Sequence, residues 1–408
     1  MALLAALLLT SNVLIGAERS LRLEIGDPER SGRTVPLTLD AITDTRTGEL
    51  LDPEELAERL SSARIVLIGE SHTDINFHRV QLRVIRALRE AGREVLIGLE
   101  MYPYTKQEYL DNWVEGRYTE KGFLDLSGWY DSWGYNWNYY SDIFHLARNH
   151  GLPMIALNTP REVISAVGKQ GLENLSEEQR EQLPPEVDTD SEQHYELFKA
   201  FFDDADQFHA SMDETQWRAM FAAQCSWDAT FGYNALKVLE THQAPEVVLV
   251  VLVGSGHAAY DLGIQRQIAN WSDVEVRTVI PISIRGRDDT EQIEEVQASY
   301  ADFLWGLPAE DYPIYPSIGL STRSAGDDEA RRTVIFIAED SVGERAGFQI
   351  GDTLLTMDGQ PLPNSQTFAR LMADKRWGDS TVIRVAREGS ELDIEVQLRR
   401  TPELFEED

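Results

Sequence analysis

An α/β fold is predicted: a parallel sheet with helices on both faces, followed by a small β-rich module. Three observations predict it. Apolar, β-branched runs alternate with helical patterns along most of the chain. Those runs are unbroken, as strands buried on both faces are. From about residue 313 the pattern changes to short strands set around Asp-Gly and Glu-Gly turns.

The elements follow in order. Met1 to Ala17 (MALLAALLLTSNVLIGA) carries an apolar run, Ala2 to Leu9, too short to span a bilayer. With Gly16-Ala17 before charge begins at Glu18, it fits the apolar region of a secretory signal, residues 1–17. No basic residue precedes Arg19, which a start codon placed too far downstream explains; a buried N-terminal core helix is the competing reading. The expectation is an exported protein, periplasmic or associated with the cell envelope. The single cysteine, Cys225, leaves no intramolecular disulfide, no Cys-based metal site and no lipid attachment near residue 17.

Arg64 to Gly69 (RIVLIG) is the first buried strand, and Asn76 to Gly92 a helix with the stripe Phe77, Val80, Val84 and Leu88. Glu94 to Leu99 and Leu152 to Leu157 are the next strands. Gly171 to Glu192, polar and containing Pro184-Pro185, reads as a helical turn plus loop in a cover. A long helix over Thr215 to Leu239 leads into the unbroken strand Val247 to Val253. The expected boundaries are a main domain over 37–290, a linker over 291–312, the small module over 313–401 and an acidic tail over 402–408.

Composition bounds the function. The 408 residues allow two or three domains at about 150 residues each. With 42% hydrophobic and 26% charged residues, the chain is neither disordered, collagen-like nor a polytopic membrane protein. Its formal charge of −33 repels a phosphate backbone, so no nucleic-acid partner is expected. An acidic surface that maintains solubility in salt accounts for the excess without catalysis.

One internal echo carries chemistry. Ile65 to His72 (IVLIGESH) resembles Val250 to His257 (VVLVGSGH): an apolar strand, then Gly-x-x-His. Ligands of open α/β sheets bind beyond the carboxyl ends of the strands, and both motifs place a histidine there. Glu70 shares one motif, Glu100 follows the strand ending at Leu99, and Asn158 follows Leu157. Mixed imidazole and carboxylate donors suit Zn, Mn or Fe, and histidine also serves as general acid or base near neutral pH. His78 reads as a solvent or packing residue, and His145, His150, His194, His209 and His242 as structural. Gly128 to Tyr140 holds seven aromatics in thirteen residues, which suits either a planar ligand or protein surface, or a cap packed on the sheet rim. Gln224 and Asp228, one helical turn apart beside Trp227, either face the site or form a buried network.

The series Gly69-Glu70-Ser71-His72, Gly98-Leu99-Glu100-Met101-Tyr102, Ala156-Leu157-Asn158-Thr159-Pro160-Arg161, Ala223-Gln224-Cys225-Ser226-Trp227-Asp228 and Gly254-Ser255-Gly256-His257 resembles the ChaN family of bacterial haem-binding proteins, within the Tiki superfamily, over Leu37 to Arg285. The resemblance implies an exported haem-binding protein linked to haem or iron uptake, as a homodimer with stacked haems. It also implies a tyrosine as axial iron ligand, with Tyr140 the candidate, and a cofactor-binding set of His72, Tyr140, His257 and Arg161. Arg161 and Arg79 are candidates to meet the haem propionates. Tiki relatives include metal-dependent proteases, so His72, Glu100 and His257 are the metal-ligand candidates for Zn or Mn, and Glu70, His72, Glu100 and His257 the catalytic set if the chain is a hydrolase.

Residues from about Pro313 to Thr401 resemble a PDZ domain of bacterial periplasmic proteases, through AGFQIGDTLLTMDGQPL at Ala346 to Leu362. Such modules add a peptide C-terminus as an extra strand. The resemblance places its carboxylate at the loop Ser317-Ile318-Gly319-Leu320, with Ile318, Gly319 and Leu320 binding peptide; packing on the main domain is the alternative. The reading is a haem-binding protein with a module that recruits a peptide or protein partner. Its alternatives are a metal-dependent hydrolase and a non-catalytic adaptor.

Overall fold

The computed structural model describes residues 19–202, 212–284, 295–310, 313–325 and 328–400. The expected signal peptide, His209 and the acidic tail lie outside them. The described residues form two compact units, one of 19–127 with 140–310, the other of 128–139 with 313–400.

The first unit is built on an eight-stranded sheet in the order β3-β2-β10-β8-β4-β7-β5-β6. The strands are β2 (Ile42–Asp44), β3 (Leu50–Leu51), β4 (Ile65–Glu70), β5 (Glu94–Pro103), β6 (Met154–Asn158), β7 (Val247–Gly254), β8 (Val276–Ile284) and β10 (Phe303–Pro308). From β10 to β6 every pairing is parallel, and at one edge β2 pairs antiparallel with both β10 and β3. β1 (Thr34–Pro36) and β9 (Glu295–Gln297) make a separate two-stranded ribbon. Every residue of β4 and β7 is buried, as their unbroken apolar sequence predicts. Each large aliphatic side chain so buried contributes about 1.5–3 kcal/mol.

Helices flank the sheet. α1 (Ile75–Glu90) starts at the cap Asp74, whose side chain accepts from the Asn76 N–H, and buries Phe77, Val80, Val84 and Leu88. α2 (Ser141–His150), α3 (Arg161–Gln170) and α4 (Glu192–Ala200) follow. The 28-residue α5 (Glu214–Thr241) opens with a capping box between Asp213 and Gln216.

The expected linker over 291–312 is corrected. It contains β9 and β10, and β10 pairs with β8 through six registered residues as part of the central sheet. Gly306 lets the Thr38–Leu39 segment come close to β10, because a Cβ there would stand 2.3 Å from the Thr38 carbonyl oxygen.

The second unit contains a six-stranded sheet in the order β11-β12-β13-β15-β16, with β14 on β13. The strands are β11 (Leu320–Ala325), β12 (Asp328–Ile337), β13 (Thr353–Met357), β14 (Gln360–Pro361), β15 (Ser380–Arg387) and β16 (Ser390–Gln397), all paired antiparallel. The expected turns are present: Asp358 and Gly359 have φ of 50° and 76°, Glu388 and Gly389 of 50° and 81°. Positive φ at both central residues matches the twist of flanking strands. α6 (Ser365–Ala373) packs Phe368, Leu371 and Met372 on a core that includes Ile318, Val334, Ile383 and Val396.

The aromatic segment 128–139 belongs to this second unit. Trp129, Trp137 and Tyr139 are buried, with Trp129 and Trp137 edge to face at 5.0 Å. Of the two readings open for this segment, a ligand surface and a packed cap, these three rings are packed.

Candidate functional site

β4, β7 and β5 are neighbours, and their register aligns Glu70 with Gly254 and Leu99 with Leu252. The sequence echo thus becomes one place, at the carboxyl edge of three adjacent strands. Two histidine–carboxylate pairs meet there.

The first pair forms where the chain leaves β4. Glu70 is fully buried, and its Oε1 lies 2.8 Å from His72 Nδ1 and accepts from the Tyr140 hydroxyl at 2.7 Å. Gln81 of α1 donates to Oε2 at 2.5 Å, and its own Oε1 lies 3.1 Å from His78 Nδ1. The His78 ring rests 4.3 Å from that of Tyr140. Burial opposes the Glu70 charge, but His78, His72 and the Tyr140 hydroxyl overcome it and bring the pKa down to about 2. Burial likewise opposes charge on His72, yet the hydrogen bond and charge of Glu70 raise its pKa above the usual value.

The second pair forms after β7. His257 sits in a short turn, and its Nδ1 lies 2.5 Å from Asp228 Oδ1 of α5, with the Gln224 amide 2.9 Å from the same nitrogen. Nε2 stands 3.5 Å from Glu100 Oε1, while Glu100 Oε2 accepts from the Gly254 N–H at 2.7 Å. Phe231 and Trp227 meet the imidazole edge-on. Burial disfavours the imidazolium, but Asp228 and Glu100 raise the His257 pKa to about 10. Behind them His194, 1% exposed, has Nε2 3.6 Å from Asp228 Oδ2, a buried oxygen that accepts no hydrogen bond. Burial, then Arg266 and His257, lower the His194 pKa to about 3, so this ring is neutral.

The two pairs converge on Gly254. A Cβ there would lie 3.3 Å from His72 Cε1 and 3.6 Å from His257 Cδ2, so the rings flank its backbone. In each, a carboxylate holds Nδ1, an arrangement that fixes the ring's orientation and enhances the basicity of the opposite nitrogen.

Glu70, His72, Glu100 and His257 are thus brought together as the sequence predicts. Asn158 supports them by donating to the Glu100 carbonyl at 2.8 Å. Arg161 is exposed at the start of α3, three residues beyond Asn158, and makes no ion pair among the described residues. Arg79 is taken by the side-chain oxygen of Asn76 at 2.9 Å. Tyr140, the candidate axial ligand, is 0% exposed, and its hydroxyl donates to Glu70. Metal binding at His72, Glu100 and His257 lacks support, since no group of three or more His, Cys, Asp or Glu among the described residues is arranged to hold an ion. His78 and His194 are the residues that sequence reading set aside. The one signal for His78 was its place three residues before Gln81 on the buried face of α1.

In the second unit, the loop before β11 is preformed. Gly319, at φ 78°, leaves its carbonyl to accept from the Ala338 N–H at 2.9 Å, and the Ile318 carbonyl accepts from the Gly343 N–H at 2.7 Å. A Cβ on Gly319 would stand 2.4 Å from Ser341 Cβ.

Comparison with known proteins agrees with these two units. Residues 56–268 match the family of haem-binding uptake proteins, Tiki superfamily, ChaN, and residues 316–398 the PDZ domain. Over 141 residues the chain is 28% identical to protein RETICULATA-RELATED 5, chloroplastic, of Arabidopsis thaliana, covering 33% of this chain and 19% of that protein's length. Among solved structures, ChaN of Campylobacter jejuni, described for cofacial heme binding, is similar at 16% identity and a TM-score of 0.48, covering 66% of this chain and 98% of that one. The HtrA-type protease AlgW with a decapeptide is similar at 23% identity and a TM-score of 0.20, covering 22% of this chain and 31% of that one. With the family match spanning more than half of its residues, the chain belongs to the ChaN family of haem-binding uptake proteins in the Tiki superfamily.

Proposed function

We propose that this protein is an exported carrier in haem or iron uptake, with haem as cargo held at the carboxyl edge of β4, β7 and β5. The observation that carries the reading is the pair of carboxylate-oriented histidines beside Gly254. His72 is the more accessible of the two, 27% exposed at its side chain against 11% for His257. Glu70 holds the His72 Nδ1 and so fixes the orientation of the ring. Arg161, exposed on the same edge and unpaired among the described residues, offers a cation to a propionate in an otherwise acidic protein. Bound haem supplies the iron, and the chain's own residues orient the imidazole and balance charge.

The reading includes export through residues 1–17, pairing of two copies around stacked haems, and capture of a peptide or protein C-terminus at Ile318, Gly319 and Leu320. A haemin titration of protein lacking residues 1–17 tests it. A saturable Soret shift is expected, weakened at least tenfold in His72→Ala. A flat titration refutes it.

A second reading is hydrolysis, favoured by the Glu70–His72 and Asp228–His257 pairs, which are oriented as general acid–base groups are. Turnover of peptide substrates that is lost in His257→Ala would favour this reading over haem carriage.

A further inference from the structure

We propose that the aromatic segment 128–139 transmits between the C-terminal module and the histidine–carboxylate site, so that an occupied peptide groove and an occupied site alter each other's affinity. The chain leaves one compact unit at Ser127 and re-enters it at Tyr140, and the twelve residues between pack with the module.

Both exits are fastened beside the site. Ser127 Oγ lies 2.8 Å from the Tyr102 hydroxyl, two residues past Glu100, and its carbonyl accepts from Lys106 Nζ at 2.6 Å. Tyr140 donates to Glu70 at 2.7 Å, next to His72. The body of the segment is fastened to α6. Asp131 accepts from the Gln366 amide near its start, and Asn136 Nδ2 donates to the Ala373 carbonyl at its end at 3.3 Å. Tyr139 stands edge-on to Tyr315 at 4.9 Å.

α6 is placed to respond to a peptide. Phe368, Leu371 and Met372 share one hydrophobic cluster with Ile318 and Leu320, the loop residues that would receive the added strand. Packed cores switch between discrete arrangements instead of deforming gradually. A rearrangement of α6 therefore reaches Tyr139, whose covalent neighbour Tyr140 holds Glu70. Coupling of this kind is reciprocal: the factor by which one ligand changes the other's affinity is the same in both directions.

Amide hydrogen exchange on the full chain tests the transmission without needing the natural ligands. Gln366→Ala and Asn136→Ala each remove one tie between segment and helix, and half-buried Gln366 is tolerant of change. We expect either variant to raise exchange over residues 70–74 at least threefold, with residues 276–284 unchanged. In a Tyr140→Phe background, Gln366→Ala should no longer affect residues 70–74. Increases confined to 128–139 and 365–373 would overturn the proposal. A second arm rests on the haem reading: the haemin affinity of Gln366→Ala should shift threefold or more. If haemin fails to bind while the exchange effect appears, the haem reading fails and the coupling stands; if haemin binds equally to both proteins and the exchange is flat, the coupling fails.

Discussion

Glu70 receives hydrogen bonds from Tyr140 and Gln81 and faces two histidines while fully buried. Glu70→Gln removes the charge that pairs with His72 and should cost about 3–5 kcal/mol, as loss of one partner of a buried ionic group does. Urea melts read it directly, and an unchanged midpoint would show that the charge does no structural work. His194 gives a pH prediction. Its folded pKa of about 3 lies below the unfolded value near 6.5, so its stabilisation is complete above pH 6.5 and is lost as pH falls toward 3. Glu70, at about 2 against 4.5, adds loss in the same direction below pH 4.5. His257, raised to about 10, is opposite in sign: its stabilisation is complete below about 6.5 and is lost as pH rises toward 10. Between pH 7 and 5 the protein should lose about 2 kcal/mol more stability than His194→Gln does; equal losses in the two would refute the assignment. His72, His257, Glu70 and Glu100 were legible because a glycine turn after a buried strand leaves few places for the next side chain. His78, His194 and the burial of Tyr140 were not, since Gln81, Asp228, Arg266 and Glu70 reach them only through tertiary packing.

At the scale of elements, unbroken apolar runs declared β4, β5, β6 and β7, and the Asp-Gly and Glu-Gly pairs declared two hairpin turns of the module. β10 was hidden. Its sequence Phe303 to Pro308 (FLWGLP) is short and split by Gly306, and nothing local says that it docks parallel to β8, more than twenty residues earlier. Gly306→Ala should destabilise the protein by about 2 kcal/mol or more, as overpacking against backbone does; a thermal midpoint equal to that of the parent would contradict the close approach. In the module, Gly319→Ala forces a Cβ toward Ser341 at a positive φ. Peptide capture should weaken at least tenfold by fluorescence polarisation, with haemin binding changed far less.

For the molecule as a whole, composition bounded the domain count, but it could not reveal that the second unit is discontinuous in sequence. Residues 128–139 belong with a module that begins near residue 313. A chain ended at Glu310 therefore leaves the segment without the helix it is hydrogen-bonded to and Tyr139 without the Tyr315 ring. It should bind an apolar dye and self-associate, where a simple beads-on-a-string arrangement would give a clean monodisperse fragment. Sedimentation of the fragment, with dye fluorescence on the same sample, decides between them.

That discontinuity also orders events during synthesis. Tyr139 leaves the ribosome about 170 residues before the module starts, which at about 5–20 residues per second is a wait of roughly ten to thirty seconds. For that interval a tryptophan-rich stretch waits for the helix Ser365–Ala373 to which it is hydrogen-bonded in the folded protein. The nascent chain thus presents a sticky loop at a predictable moment, and holding chaperones should be found on it at intermediate lengths, departing only once Leu398 has emerged.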